Sequence, residues 1–191
     1  MRIYKFGGAS VKDASGVKNL VKILNELGSD KTLIVVSAMG KMTNSLEFVV
    51  KNYFENQKEL DYSLNEIFIF HNNILNELFS ENNHPIYSEI KEIFENLKVF
   101  LKRNKSPNYS FVYDQVVSFG EIVSTKIINS YLNYVNIKSN WLDSRLLIKT
   151  DSKYRDANLN WQVTQNNISN KVNNSLLNIT QGFIASDDNN F

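Results

Sequence analysis

Apolar positions in the first forty residues change period twice. Residues 2–6, RIYKF, make a short strand-like run that ends at Gly7-Gly8. Val17, Leu20, Val21, Leu24 and Leu27 then recur at spacings of three and four, as on one face of a helix. Asp13 stands where an N-cap is expected and Gly28 where a helix stops. Residues 32–38, TLIVVSA, are apolar without alternation, the pattern of a strand covered on both faces in a parallel sheet. The three segments predict a β-α-β unit with a right-handed crossover.

Four helical stripes follow. Leu46, Val49, Val50 and Tyr53 make the first, in a helix expected to begin at Ser45. Leu64, Ile67, Phe68, Ile74, Leu75 and Leu78 make the second, and Ile86, Ile90, Ile93, Leu97 and Phe100 the third. Pro85 and Pro107 fall at the joints, where proline is tolerated. The fourth stripe runs Val112, Val116, Phe119, Val123, Ile127 and has Gly120 in its middle. A strand at 137–142, a polar loop-like segment at 144–160, a short helix at 161–173 capped by Asn158 or Asn160, and a strand at 176–184 complete the pattern. This order predicts an α/β fold, a parallel sheet between helical layers. No repeat or linker divides the chain, so residues 1–191 read as one unit with a helical subregion at about 45–135. The last strand has no helix after it, as in a fold cut part-way. Leu176, Leu177, Ile179, Phe183 and Ile184 are therefore expected near an open edge or face that favours self-association.

Composition narrows the classes. Lys+Arg is 21 and Asp+Glu 20, a net charge of +1, so there is no bulk electrostatic case for nucleic acid or an anionic membrane. No segment approaches the ~20 apolar residues of a membrane span. No signal-peptide core follows Arg2 and Lys5, which makes a cytoplasmic protein the expectation. The absence of cysteine removes disulfides, zinc–thiolate sites and thiol catalysis. Two histidines cannot build a His-rich metal site. His71 fits a core position, His84 a solvated one, and Asp187 and Asp188 a solvated terminal loop.

Three loops carry candidate chemistry. Lys5-Phe6-Gly7-Gly8-Ala9-Ser10 lies at the carboxyl end of the first strand and runs toward a helix. Its glycines let a ligand approach the backbone, the helix start favours anions, and Lys5 adds a point charge. The same hexapeptide also reads as a tight turn that needs glycine for geometry. It matches neither a P-loop nor a dinucleotide fingerprint. Ser37-Ala38-Met39-Gly40-Lys41-Met42-Thr43-Asn44 is a second loop of that kind, where ligands of open parallel sheets bind. Thr43 or Asn44 could equally serve only as a helix cap. Ser118-Phe119-Gly120-Glu121 interrupts a helical stripe with a glycine that costs about 1 kcal/mol relative to alanine. Either a kink there aims Glu121 at a ligand, or the glycine serves packing beside an exposed Glu121.

Taken together, these loops resemble the aspartate kinase family of the amino acid kinase superfamily. The match runs through Lys5-Phe6-Gly7-Gly8-Ala9-Ser10-Val11, Val35-Val36-Ser37-Ala38-Met39-Gly40-Lys41-Met42-Thr43 and Ser118-Phe119-Gly120-Glu121. Weaker matches are Trp141-Leu142-Asp143, Lys149-Thr150-Asp151 and Gln181-Gly182-Phe183-Ile184. They keep the family's order and cover essentially the whole chain. Ala9 departs from the family's usual KFGGTSV and removes a hydroxyl.

The resemblance implies a three-layer α/β/α sandwich of the amino acid kinase type and phosphoryl transfer from Mg2+-ATP to the side-chain carboxylate of L-aspartate. It assigns phosphate binding to Lys5, Gly7, Gly8, Ala9, Ser10 and Gly40, with Lys5 also catalytic. It assigns aspartate binding to Ser37, Thr43 and Glu121, the last paired with the substrate ammonium, and no protein metal ligand. It implies a homo-oligomer for the complete enzyme and a place in lysine, threonine and methionine biosynthesis. The family continues beyond the QGFI strand into a substrate-gripping Arg, a catalytic Asp and an adenine-binding half. The chain is therefore expected to be an N-terminal part that folds without catalysing. The competing readings are a glutamate or acetylglutamate kinase, and a non-catalytic ligand-binding fragment. Asp143, Arg145 and Lys149 to Asp151 receive no role.

Overall fold

The computed structural model describes residues 1–189. Strands β1 (Arg2–Phe6), β2 (Thr32–Val36), β3 (Ser139–Leu142) and β4 (Leu177–Gln181) form one parallel sheet in the order β1-β2-β4-β3. The helices are α1 (Ala14–Leu27), α2 (Met42–Glu55), α3 (Leu60–Leu78), α4 (Pro85–Arg103), α5 (Tyr109–Tyr134), the single turn α6 (Ser144–Leu147) and α7 (Trp161–Lys171). Short 3-10 turns occupy Gly8–Val11, Gln57–Glu59 and Tyr154–Asp156.

The two sheet faces differ. Alternation puts Tyr4, Phe6, Ile34, Val36, Ile179 and Trp141 on one face, and these belong to or pack on the main core with Leu20, Leu24, Ile127 and Ile128. Ile3, Lys5, Leu33, Val35 and Thr180 occupy the other. Strand order explains the inequality. The steps β1 to β2 and β2 to β3 go one way along the sheet, and β3 to β4 goes back. Right-handed crossovers then place α1 through α5 on the core face and α7 on the opposite one. That second layer is thin: Ile3 stays 66% exposed.

Several sequence expectations change here. The last strand is not at an edge: β4 lies between β2 and β3, and Leu177 and Ile179 are buried. The strand ends at Gln181, so Phe183 and Ile184 fall in the following loop. Helix α2 starts at Met42, three residues earlier than expected, and the preceding Lys41 gives no side-chain cap. Thr43 and Asn44 are thus inside its first turn and cap nothing. Segment 144–160 contains α6, a 3-10 turn and bridges from Lys149 to Ser186 and from Thr150 to Leu159. Asn160 caps α7 by accepting from the Val163 N–H at 3.2 Å. His84 is half-buried, stacked on Phe79 and capping α4. His71 is fully buried.

A polar network joins α5 to the strand ends. Thr125 Oγ1 accepts from Gln181 Nε2 at 2.7 Å and from Trp141 Nε1 at 3.0 Å. Gln181 Oε1 accepts the Ser144 N–H at 2.8 Å. Buried hydrogen bonds of this kind fix register, because breaking one leaves an unsatisfied group behind. The carboxyl ends of β3 and β4 are thereby tied to the helix that carries Glu121.

Candidate active site

The loops after β1 and β2 touch each other. A Cβ on Gly8 would lie 2.7 Å from the Ala38 carbonyl oxygen and 2.8 Å from that of Gly40, so no side chain fits there. The Gly40 N–H donates to the Gly8 carbonyl at 3.0 Å, and Gly40 adopts φ +56°. At Gly7 a Cβ would meet nothing within 4 Å, which leaves open space beside the turn. Ser10 donates its N–H to the Gly7 carbonyl at 2.9 Å and, like Ala9, is exposed. Lys5 is exposed, and its Nζ lies 4.6 Å from the centre of the Phe183 ring.

The start of α1 does not offer the anion site expected of it. Helix α1 begins at Ala14, and Asp13 already accepts the Gly16 N–H at 2.8 Å. A negative side chain therefore occupies that helix terminus. The amides that remain beside Gly7 belong to the Gly8–Val11 turn, whose first N–H groups have no partner within the turn.

Helix α5 brings the third motif to the same place. It runs unbroken through Gly120, so there is no helix break at that residue. A Cβ on Gly120 would lie 3.0 Å from both the Ala38 Cβ and the Leu46 Cδ1. The glycine is there for close packing on the β2–α2 loop. Ser124 Oγ fastens the approach by donating to the Ser37 carbonyl at 2.8 Å. Glu121 is not an exposed neighbour of this glycine: it is 4% exposed, and one carboxylate oxygen has no hydrogen-bond partner. Burial pushes its carboxyl up to about 7, against hydrogen bonds from its own backbone and that of Ala38. Ser37 and Thr43 are half-buried around the same loop.

Ala38 is thus the common neighbour of the Gly8 turn, Gly120 and Glu121. A cleft of about 420 Å³ reaches α5 at Ser118 and Phe119, the two residues before Gly120. Its lining includes Asp114, Ser118, Phe119, Arg145, Phe183 and Asp187. None of the nine residues assigned by the resemblance lines it. Ser118 and Phe119 bring the third motif to its wall, and Phe183 links it to Lys5.

Sequence reasoning missed part of this wall. Asp187 is buried, 5% exposed, not solvated; Asp188 is exposed. The Asp187 carbonyl accepts from Lys149 Nζ at 3.2 Å, and the same Nζ donates to Ser186 Oγ at 2.7 Å. Burial pushes the Asp114 carboxyl up to about 6, opposed by Arg155, whose guanidinium stacks 4.2 Å from the Tyr113 ring centre. Asp114 lies four residues before Ser118 on one helix face, a spacing that could have flagged it. Arg145 forks onto Asp143, at 2.6 Å for the shorter contact. Among the described residues no three His, Asp or Glu side chains converge as a metal cage.

An open parallel sheet with ligand loops gathered at the carboxyl ends of its strands defines the class. A model of the amino acid kinase family matches residues 1–191, and the chain belongs to that family. It is 29% identical to a bifunctional aspartokinase/homoserine dehydrogenase of Buchnera aphidicola over 97% of its own length and 24% of that protein. It is 33% identical to aspartokinase 1, chloroplastic, of Arabidopsis thaliana over 74% of its length and 25% of that protein. Aspartokinase III of E. coli superposes on 99% of the chain at 26% identity, with TM-scores of 0.86 in its complex with lysine and aspartate and 0.85 in its complex with aspartate and ADP. The chain spans 42% of that structure and about a quarter of the Buchnera and Arabidopsis relatives.

Proposed function

We propose that the chain is the N-terminal part of an aspartate kinase, which transfers the ATP γ-phosphoryl group to the side-chain carboxylate of L-aspartate. The meeting of the β1 and β2 loops with helix α5 at Ala38 supports this most directly. A glycine turn, a loop with two hydroxyls and a buried acid meet there, as this reading requires. The acceptor carboxylate is already a nucleophile, so no base is needed. Catalysis then reduces to alignment and neutralisation of charge. Lys5 and the amides of the Gly7-Gly8-Ala9-Ser10 turn hold the donor phosphates, with Gly40 shaping the facing loop. Ser37 and Thr43 place the acceptor, and Glu121 takes its ammonium. Magnesium would supply charge neutralisation at the phosphates when bound. A homo-oligomeric enzyme of the cytoplasm, feeding lysine, threonine and methionine synthesis, belongs to the same proposal.

Lys5→Ala tests the reading. Losing one preorganised donor costs about 10²–10³ in rate. In the enzyme that contains this chain, ADP release with Mg-ATP and aspartate should fall by that factor while the aspartate KM moves little. Near-normal turnover overturns the assignment, and faster phosphorylation of glutamate than of aspartate overturns the substrate. The competing reading is a binding unit without turnover. Calorimetric binding of Mg-ATP or aspartate to this chain, without ADP release, is its expected signature.

A further inference from the structure

Phe183 is hard to explain by folding alone. It adopts φ +63°, a left-handed conformation that bulky side chains avoid. It is also 81% exposed, so its ring recovers little by burial. Strain held on an exposed aromatic points to a role outside the core. Its surroundings suggest which one. Phe183 lines the cleft, and its ring carries the Lys5 ammonium 4.6 Å from its centre. The backbone that presents it is pinned: Gly182 donates its N–H to the Val36 carbonyl at 3.0 Å, and the next turns are zipped by the bridge from Lys149 to Ser186.

We propose that Phe183 is a positioning residue for Lys5. A lysine side chain is long and mobile, and its charge is useful only where the phosphoryl group passes. The face of the ring attracts the ammonium and narrows its positions to the boundary between the Gly7-Gly8 turn and the cleft. An exposed cation–π contact is weak, so it orients the charge and still yields to phosphate oxygens, which bind ammonium more strongly. The left-handed conformation turns the ring toward Lys5 at the end of β4. This inference rests on the reading of Lys5 as a phosphate-binding residue.

Because Phe183 is exposed, its variants should fold. The ring current of Phe183 should move the Lys5 ε-methylene resonance upfield in this chain. Phe183→Leu should abolish that shift and Phe183→Tyr should keep it. Phe183→Gly should also abolish it, yet unfold no more easily than the parent, since glycine accepts φ +63° without strain. Mg-ATP should move the Lys5 resonance. Phe183→Leu should shift the midpoint of that titration about twofold to fivefold, the size of an exposed cation–π contact. An identical Lys5 resonance in the parent and Phe183→Leu overturns the inference. An equal Mg-ATP midpoint in the two also overturns it and leaves the reading of Lys5 standing. A Lys5 resonance that Mg-ATP does not move overturns the reading of Lys5 itself.

Discussion

Glu121 carries the sharpest contradiction between stability and function at the scale of one residue. Its carboxyl is buried, one oxygen is unpaired, and its titration is raised from 4.5 to about 7. The folded state therefore holds a proton between pH 4.5 and 7 that the unfolded state has released. A raised carboxyl favours the fold at low pH and loses that contribution as pH rises through this window. The loss is about 3 kcal/mol. Glu121→Gln should remove this pH dependence and make the protein more stable than the parent at pH 8 in urea unfolding. The same substitution should weaken aspartate binding at least tenfold, because a buried charge pair loses one partner. A bound ammonium favours the carboxylate, so aspartate should release protons when it binds near pH 7. Calorimetry in buffers of different ionisation enthalpy measures that release. A parent and variant with parallel stability profiles between pH 4.5 and 8 would refute the buried-acid assignment.

Elements show what periodicity can and cannot convey. The stripes of α1, α3, α4 and α5 were legible because burial on one helix face forces spacings of three and four. Lys5, Gly8 and Glu121 were legible as motif members. The burial of Glu121 was not, since it depends on Ala38, 83 positions away. The start of α2 was hidden because Thr43 and Asn44 look like caps while Lys41 precedes the first turn. Asp187 looked solvated because its cover comes from Lys149 and its neighbours across the chain. His71 shows the legible kind. Its place between Phe68 and Leu75 marks it as core, and it is buried on α3 with its ring against Phe70 and Phe94. Nδ1 bonds to the Ile67 carbonyl at 2.8 Å, and Nε2 has no partner. Burial lowers its titration from 6.5 to about 4. The unfolded state thus takes up a proton first as pH falls through that window, and stability declines with it. The fold should lose about 2 kcal/mol between pH 7 and 5 from this one group. His71→Leu should cut that acid sensitivity. Equal losses in parent and variant, read by urea midpoints at the two pH values, would place the acid-labile group elsewhere.

Topology governs the whole molecule, and the sequence could not supply it. The β-α-β start was readable, but the insertion of β4 between β2 and β3 depends on contacts across more than a hundred residues. That order decides two things. It sets the loops after β1, β2 and β4 side by side at the carboxyl ends of the strands, and it leaves the α7 side of the sheet thinly covered near β1. The surface expected to self-associate therefore moves from the last strand to the first. Among the described residues β1 pairs only with β2, and Ile3 is 66% exposed beside half-buried Leu33 and Val35. Arg2 partly guards this edge, because its guanidinium is spent on the carbonyls of Leu27, Gly28 and Asp30 at the end of α1. A strand edge with an uncovered apolar side chain is a template for pairing with another copy. Light scattering of this chain should show a mass that rises with concentration. Ile3→Thr keeps a strand-forming, β-branched residue but removes apolar surface. It should lower the association without lowering the unfolding midpoint by more than about 1 kcal/mol, since little is buried at that position. A parent that stays monomeric at every concentration, or a variant that associates as strongly as the parent, would show that β1 is not the sticky face.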